Sequence, residues 1–259
     1  MRFIECEPNS EEWYQNRAGL ITASMFSAVC EEIGGLNEQQ RKYVDAVLSG
    51  LEKKEAANLA GYKAIPNSTI IDKALRGELT ADYSETAKRY ATDLAIERIS
   101  GNIYRIPAEA WVLRRGHEQE PHARRIYEAR TGAFVTEAGI CVDDNGFGYS
   151  TDGLVEDDGL SEIKCPVDSL KIEHILKTGD TSEYDHQIQG GMWLTHRKWC
   201  DFIMYVPALE SIDLDLYVKR IYRDEEFIDA MVMKLHEFSN YVKEKEHFFR
   251  NFLLYKKAA

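Results

Sequence analysis

The stretch from Gly148 to Pro166 constrains this chain more than any other. It runs Gly148-Tyr-Ser-Thr-Asp152-Gly-Leu-Val, then an acidic turn, Glu156-Asp157-Asp158-Gly159, then Leu160-Ser-Glu162-Ile-Lys164-Cys-Pro166. Two β-like runs around a turn signal predict a hairpin. Alternation along the second run places Glu162 and Lys164 on one face and turns Ile163 to the other. Asp152, at the end of the first run, would face the same pocket.

The residue types carry a chemistry. Two carboxylates are hard oxygen donors suited to Mg²⁺ or Mn²⁺. A lysine beside them can place a water and help deprotonate it. A divalent cation so held stabilises charge on a phosphoryl oxygen and on the leaving oxygen. Asp…Glu-x-Lys thus reads as a constellation for phosphodiester hydrolysis. The same short pattern also fits a surface hairpin with ordinary charges, so the rest of the chain must decide.

Composition is that of a soluble globular protein, with 44% hydrophobic and 29% charged residues. No apolar run approaches the ~20 residues of a membrane span, and Met1 to Glu7 has no secretory apolar core. Five scattered cysteines without Cys-x-x-Cys spacing predict reduced thiols in a cytoplasm and no zinc site or disulfide frame. The net charge of −12 opposes a nucleic-acid enzyme, because sequence-independent DNA binding rests on Lys and Arg at phosphates. Basic residues gathered on one surface, or around a channel by assembly, would answer that objection.

Upstream, Trp13 to Val29 predicts a short helix, a turn and a second helix, with Thr22 or Ser24 as N-cap. Arg17 beside those hydroxyls makes a candidate anion site, and equally fits a surface arginine next to an ordinary cap. Residues 36 to 77 predict three short helices separated by Gly50 and Gly61. With Gln40-x2-Tyr43-Val44 in the first and Ala56-Ala57-x2-Ala60-Gly61-Tyr62 in the second, they resemble the N-terminal helix-turn-helix of phage terminase small subunits. In that reading the third helix enters a DNA groove with Lys73 and Arg76 exposed. A packing or self-association insert fits as well.

A helix is expected from Asp82 to Ile99, and a longer one from Pro107 to Arg130. The second carries Gly116 and Pro121 in its interior, a local conflict of the kind that serves a site. Glu120 there is a candidate third carboxylate. His117 and His122 are weaker candidates, and Arg114, Arg115, Arg124 and Arg125 form the densest basic cluster. Ala133 to Val142 predicts a strand, with Asp143 to Gly146 as its turn. A helix is expected from Asp168 to Lys177. Another runs from Glu183 to Thr195, where Gly190 and Gly191 imply close backbone approach and Gln187 can orient a water. Strands are expected at Trp199–Val206 and Asp213–Tyr222, and a long scaffold helix at Phe227–Leu254.

Four blocks in order resemble the phage lambda exonuclease family, the YqaJ-type viral recombinases within the PD-(D/E)xK nucleases. They are Trp13-x3-Arg17-x-Gly-x-Ile-Thr-Ala-Ser24, Arg115-Gly-x3-Glu120-x2-Ala, Asp152-Gly-Leu…Glu162-Ile-Lys164-Cys-Pro, and Gln187-Ile-Gln-x2-Met-Trp-Leu-Thr195. The resemblance implies an α+β (α/β) restriction-endonuclease-like core, a mixed β-sheet flanked by helices, formed by residues 1–33 and 106–259. Residues 34–84 would be a small all-α insert and 85–105 a connecting helix. Asp152, Glu162 and the Ile163 carbonyl would ligate Mg²⁺ (or Mn²⁺), with Glu120 completing the site. Lys164 would position or activate the water, supported by Gln187. Arg17, with Thr22 and Ser24, would hold the 5′ phosphate of the DNA end.

The expected activity is a Mg²⁺-dependent 5′→3′ double-strand DNA exonuclease of a phage or prophage recombination system, acting in the cytoplasm of a bacterial host. Its expected partners are duplex DNA ends, a single-strand annealing protein and two further copies in a trimer. The chain departs from the family in its larger insert and at Leu170 or Lys171, one of which falls where the family uses an arginine near the cleaved phosphate. A lysine there lacks the arginine fork. The rival readings are a structure- or site-selective endonuclease on the same core, and a non-catalytic helix-turn-helix DNA-binding module.

Overall fold

Local signals shape the first elements of the chain. In the computed structural model, which describes residues 1–8, 10–78, 80–104 and 111–258 (the side chains of Leu113 and 253–258 excepted), β1 (Arg2–Ile4) precedes helix α1 (Glu11–Arg17). Ser10 caps α1 by accepting the Trp13 amide, and Glu11 and Glu12 complement the helix dipole. Between α1 and α2 (Phe26–Cys30) lie a two-residue strand, β2 (Ile21–Thr22), and a 3-10 turn (Ala23–Met25). Thr22 occupies the cap position of that turn, but its side chain makes no capping bond.

The chain divides into two compact units, one of Met1–Cys30 and Arg89–Ala259, the other of Glu31–Lys88. The smaller unit holds β3 (Glu32–Ile33), α3 (Glu38–Leu48), α4 (Lys53–Leu59), α5 (Thr69–Leu75) and β4 (Asp82–Tyr83), with β3 and β4 paired antiparallel. A capping box between Asn37 and Gln40 starts α3. Tyr43, Val44, Ala56, Ala57 and Ile71 form its core. Small alanines at the α3–α4 contact allow three short helices to close on one another.

Helix α6 (Glu85–Ser100) leads into the larger unit, followed by α7 (Trp111–Thr131), which continues through Pro121. The expected start of α7 at Pro107 lies outside the described residues. The strand expected over 133–142 is two strands, β5 (Val135–Thr136) and β6 (Ile140–Val142), in different sheets. The break falls at Gly139, where a Cβ would collide with the Ile4 carbonyl as the chain crosses to pair with β1. β7 (Phe147–Ser150) pairs with β6 across the Asp143–Gly146 turn. β8 (Gly153–Val155) and β9 (Gly159–Lys164) form the hairpin that the acidic turn implied.

Then come α8 (Ser169–Thr178), a 3-10 turn (Ser182–Tyr184), α9 (Asp185–Thr195), β10 (Trp199–Tyr205), a second 3-10 stretch (Pro207–Ile212), β11 (Leu216–Tyr222) and α10 (Glu225–Ala258). The larger unit thus carries two mixed sheets, ordered β1-β6-β7-β2 and β11-β10-β9-β8-β5. In the second, β9 lies centrally, parallel to β10 and antiparallel to β8. Ile163 packs with Ala123 and Tyr127 of α7, Val155 and Ile203. That burial fixes the register of β9, since a one-residue slip would move Ile163 out of the core and Glu162 into it. Among the described residues no helix is long and apolar enough to cross a membrane.

Candidate active site

Because Ile163 is committed to the core, Glu162 and Lys164 project together from the opposite face of β9. Lys164 Nζ donates to Glu162 Oε1 at 2.6 Å. Gln187, in the first turn of α9, donates through Nε2 to the same oxygen at 2.5 Å and accepts from Lys164 Nζ through Oε1 at 3.4 Å. Tyr149 of β7 donates to Glu162 Oε2 at 3.0 Å. Glu162 is 1% exposed. A buried carboxylate needs charge and donors around it, and these three side chains supply them.

Asp152 follows β7. Thr151 holds the turn beneath it, its hydroxyl donating to the Gly153 carbonyl at 2.9 Å and accepting the Gly153 amide at 3.1 Å. Asp152 Oδ2 accepts the Ile163 amide at 2.7 Å, which brings it to the backbone between Glu162 and Lys164. Burial, then the charges of Glu162 and Glu120, push the Asp152 carboxyl well above its ordinary value. Burial also raises Glu120 on α7; His117 and Lys164 oppose that shift and Glu162 adds to it. Burial would lower the Lys164 ammonium, but Glu162 and Asp152 outweigh it and hold it above its ordinary value. Burial and the Glu162 charge raise the Tyr149 phenol well above its usual range, so it remains a donor.

The set is therefore an acidic cluster short of positive charge, which is the donor chemistry a hard divalent cation satisfies. Among the described residues no three His, Cys, Asp or Glu side chains stand as a ready-made metal cage. Of the histidines on α7, His122 Nδ1 lies 2.9 Å from Arg125 Nη2, and His117 acts on Glu120 through its charge. Arg115 Nη1 donates to the Cys165 carbonyl at 3.1 Å, tying α7 to the end of β9. Arg124 pairs with Glu137.

A second group forms around Arg17. Its guanidinium lies 4.1 Å from the centroid of the Trp13 ring, and burial pulls it below its ordinary value while Tyr90, Tyr14 and Glu97 oppose that shift. The Thr22 and Ser24 hydroxyls are 3.3 Å apart. Tyr90 of α6 accepts the Thr22 amide at 3.0 Å and donates to the Leu20 carbonyl at 3.1 Å. The loop between them turns at Gly19 (φ +74°), where a Cβ would meet Arg98 Cγ at 2.7 Å. Glu97 accepts the Gly19 amide at 2.8 Å and Arg98 Nε donates to its carbonyl at 2.9 Å. Trp13 Nε1 donates to Ser150 Oγ at 3.0 Å, so the Arg17 group is tied to the end of β7, two residues before Asp152.

Lys171 pairs with Glu183 at 2.7 Å and lies 5.8 Å from the Tyr184 ring, whose centroid is 5.7 Å from Lys164 Nζ. Tyr184, Tyr149 and Tyr90 were not singled out from sequence. Each is an aromatic inside or beside a motif, and only the fold shows which way its hydroxyl or ring is turned. Lys73 and Arg76 belong to the smaller unit, on and at the end of α5, where Arg76 pairs with Glu78 at 2.6 Å.

The YqaJ-like viral recombinase domain matches residues 12–198, most of the chain and all the residues of both groups. The chain belongs to that family. Among solved structures it is similar to the alkaline exonuclease LHK-Exo from Laribacter hongkongensis, at 27% identity and a TM-score of 0.68, covering 96% of this chain and 100% of that one. LHK-Exo in complex with dAMP gives a TM-score of 0.67 at the same identity and coverage. A phage-related exonuclease from Haemophilus somnus aligns more loosely, at 19% identity and a TM-score of 0.48, over 69% of this chain and 88% of that one. No curated protein matches. The mixed α/β architecture expected from the motifs is the one found, and it is that of the lambda-exonuclease-like nucleases.

Proposed function

We propose that this YqaJ-type deoxyribonuclease is a Mg²⁺-dependent exonuclease that degrades one strand of duplex DNA 5′→3′ from an end, leaving a 3′ tail for a single-strand annealing protein in phage or prophage recombination. The observation that carries the reading is the Lys164–Glu162–Gln187 cluster with Asp152 bonded to the strand between them. Asp152 Oδ1, a Glu162 oxygen and the Ile163 carbonyl would hold the cation, with Glu120 completing the set and Mn²⁺ able to substitute. When bound, the cation supplies charge stabilisation on the phosphoryl and leaving oxygens and a more acidic water.

The side chains do the rest. Lys164, held by Glu162 and Gln187, is a charged donor that positions the attacking water. Gln187 keeps the lysine from swinging away. Arg17 with the Thr22 and Ser24 hydroxyls takes a terminal 5′ phosphate, and the Trp13–Ser150 bond sets its distance from the cluster. Lys171 adds positive charge beside the cleaved phosphate. The dAMP bound to LHK-Exo is a mononucleotide, the product that stepwise cleavage from an end would release here. Assembly as a trimer around DNA would gather basic residues that the net charge of −12 otherwise masks.

Purified protein with Mg²⁺ and a linear duplex labelled at the 5′ or the 3′ end, beside a closed circle, tests the reading. Early release of 5′ label as mononucleotide with the circle intact is expected. A nicked or cut circle would make the protein an endonuclease. Binding without cleavage in Mg²⁺ or Mn²⁺ would leave only a DNA-binding role.

A further inference from the structure

The two oxygens of Glu162 are held from different parts of the fold. Oε1 receives Lys164 and Gln187, both in the mechanism proposed above. Oε2 receives the hydroxyl of Tyr149, a residue of β7 in the other sheet. Tyr149 and Glu162 are each 1% exposed, so water does not substitute readily for that donor. The Tyr149 ring is pinned in turn by α9. A Cβ at Gly191 would meet Tyr149 Cζ at 2.6 Å, so the helix backbone closes directly on the ring. One of the two glycines that break good helix chemistry in α9 therefore makes room for a tyrosine that reaches the acidic cluster.

We propose that Tyr149 is a positioning residue for the cation site: its hydroxyl fixes the plane of the Glu162 carboxylate, and Gly191 fixes the tyrosine. The proposal rests on the metal-nuclease reading above. A carboxylate held on one oxygen only can rotate about its last torsion, whose preference is broad. Held on both, it offers the remaining lone pairs in one direction, and ordering a ligand in advance raises affinity. Tyr149 touches neither substrate nor cation in this role.

The test is Mn²⁺ binding to the full-length, DNA-free protein by titration calorimetry, beside the Mg²⁺ dependence of cleavage. Tyr149→Phe keeps the ring and removes the hydroxyl. Its Mn²⁺ dissociation constant is expected to rise about tenfold, as is the Mg²⁺ concentration for half-maximal rate, with duplex binding and the circular dichroism spectrum unchanged. Gly191→Ala keeps the hydroxyl but displaces the ring, and should shift Mn²⁺ affinity in the same direction. It provides the test should Tyr149→Phe not fold. Wild-type Mn²⁺ affinity in the folded variants would overturn the proposal and leave the nuclease reading standing. Failure of the wild-type protein itself to bind Mn²⁺ would overturn both.

Discussion

Lys164 Nζ lies 2.6 Å from Glu162 Oε1, a contact between neighbours on one face of β9 that burial of Ile163 enforces. The lysine is thus pre-set against the carboxylate. Lys164→Ala is expected to lower the cleavage rate about 10²–10³-fold, the usual range for loss of one preorganised charged donor. Binding of a labelled duplex should stay within about twofold of wild type, since one lysine among many phosphate contacts adds little. Steady-state cleavage and a gel-shift titration check both arms. Wild-type cleavage by the variant would remove Lys164 from the mechanism.

Cation uptake should depend on pH with a definite sign. The Asp152 and Glu120 carboxyls are held above their ordinary values, so protons compete with a cation there up to higher pH. Mn²⁺ affinity is expected to rise with pH, with net proton release visible as a dependence of the binding heat on buffer ionisation. The same shifts act on stability. A carboxyl raised in the folded state contributes stability that is present below its unfolded value and lost as pH rises through its folded value. Cation-free protein should therefore lose melting temperature as pH rises through the folded-state values of Asp152 and Glu120, and added Mg²⁺ should restore it. Affinity and melting temperature that do not change with pH would contradict this account.

Asp201 of β10 provides a prediction outside the site. It is 3% exposed, accepts Tyr127 Oη at 2.6 Å, and receives Arg220 Nε and Nη2 at 2.8 and 2.9 Å. The Arg220 guanidinium also lies 3.6 Å from the centroid of the Trp199 ring. Asp201→Ala leaves the buried Tyr127 phenol without its acceptor while the partly exposed Arg220 turns to water, and is expected to cost about 1–3 kcal/mol. Urea unfolding measures it. A loss under about 1 kcal/mol would mean that water or a rearranged side chain replaces the carboxylate.

The hairpin that presents Glu162 and Lys164 was legible in sequence because alternation and an acidic turn are local signals. The glycine-marked helix ends of the smaller unit were legible for the same reason. The split of 133–142 into β5 and β6 was not, since it depends on where Ile4 lies, far away in sequence. The two-residue β2 is too short to show alternation and exists through its pairing with β7. In the site, the charged residues stood out by type. Tyr149 did not, because a tyrosine in an apolar run looks like core until its hydroxyl is seen to reach Glu162. The glycines of α9 signalled a close approach, but not to which ring.

The last prediction concerns end recognition. Arg17 stacks on Trp13, and Trp13 is bonded to Ser150 just ahead of Asp152, so the cation that would read the DNA end is mechanically tied to the acidic cluster. Burial of Arg17 makes its charge act in a low-dielectric setting, where a phosphate partner gains more than it would at the surface. Arg17→Ala should therefore slow digestion of 5′-phosphorylated duplex by about tenfold or more, and change digestion of the 5′-hydroxyl duplex far less. Arg17→Lys should recover only part of the preference, because a lysine lacks the planar fork and the stack on the indole. Initial rates on the two duplexes give the ratio directly. Equal loss on both ends would mean that Arg17 supports the fold through Trp13 rather than reading the phosphate.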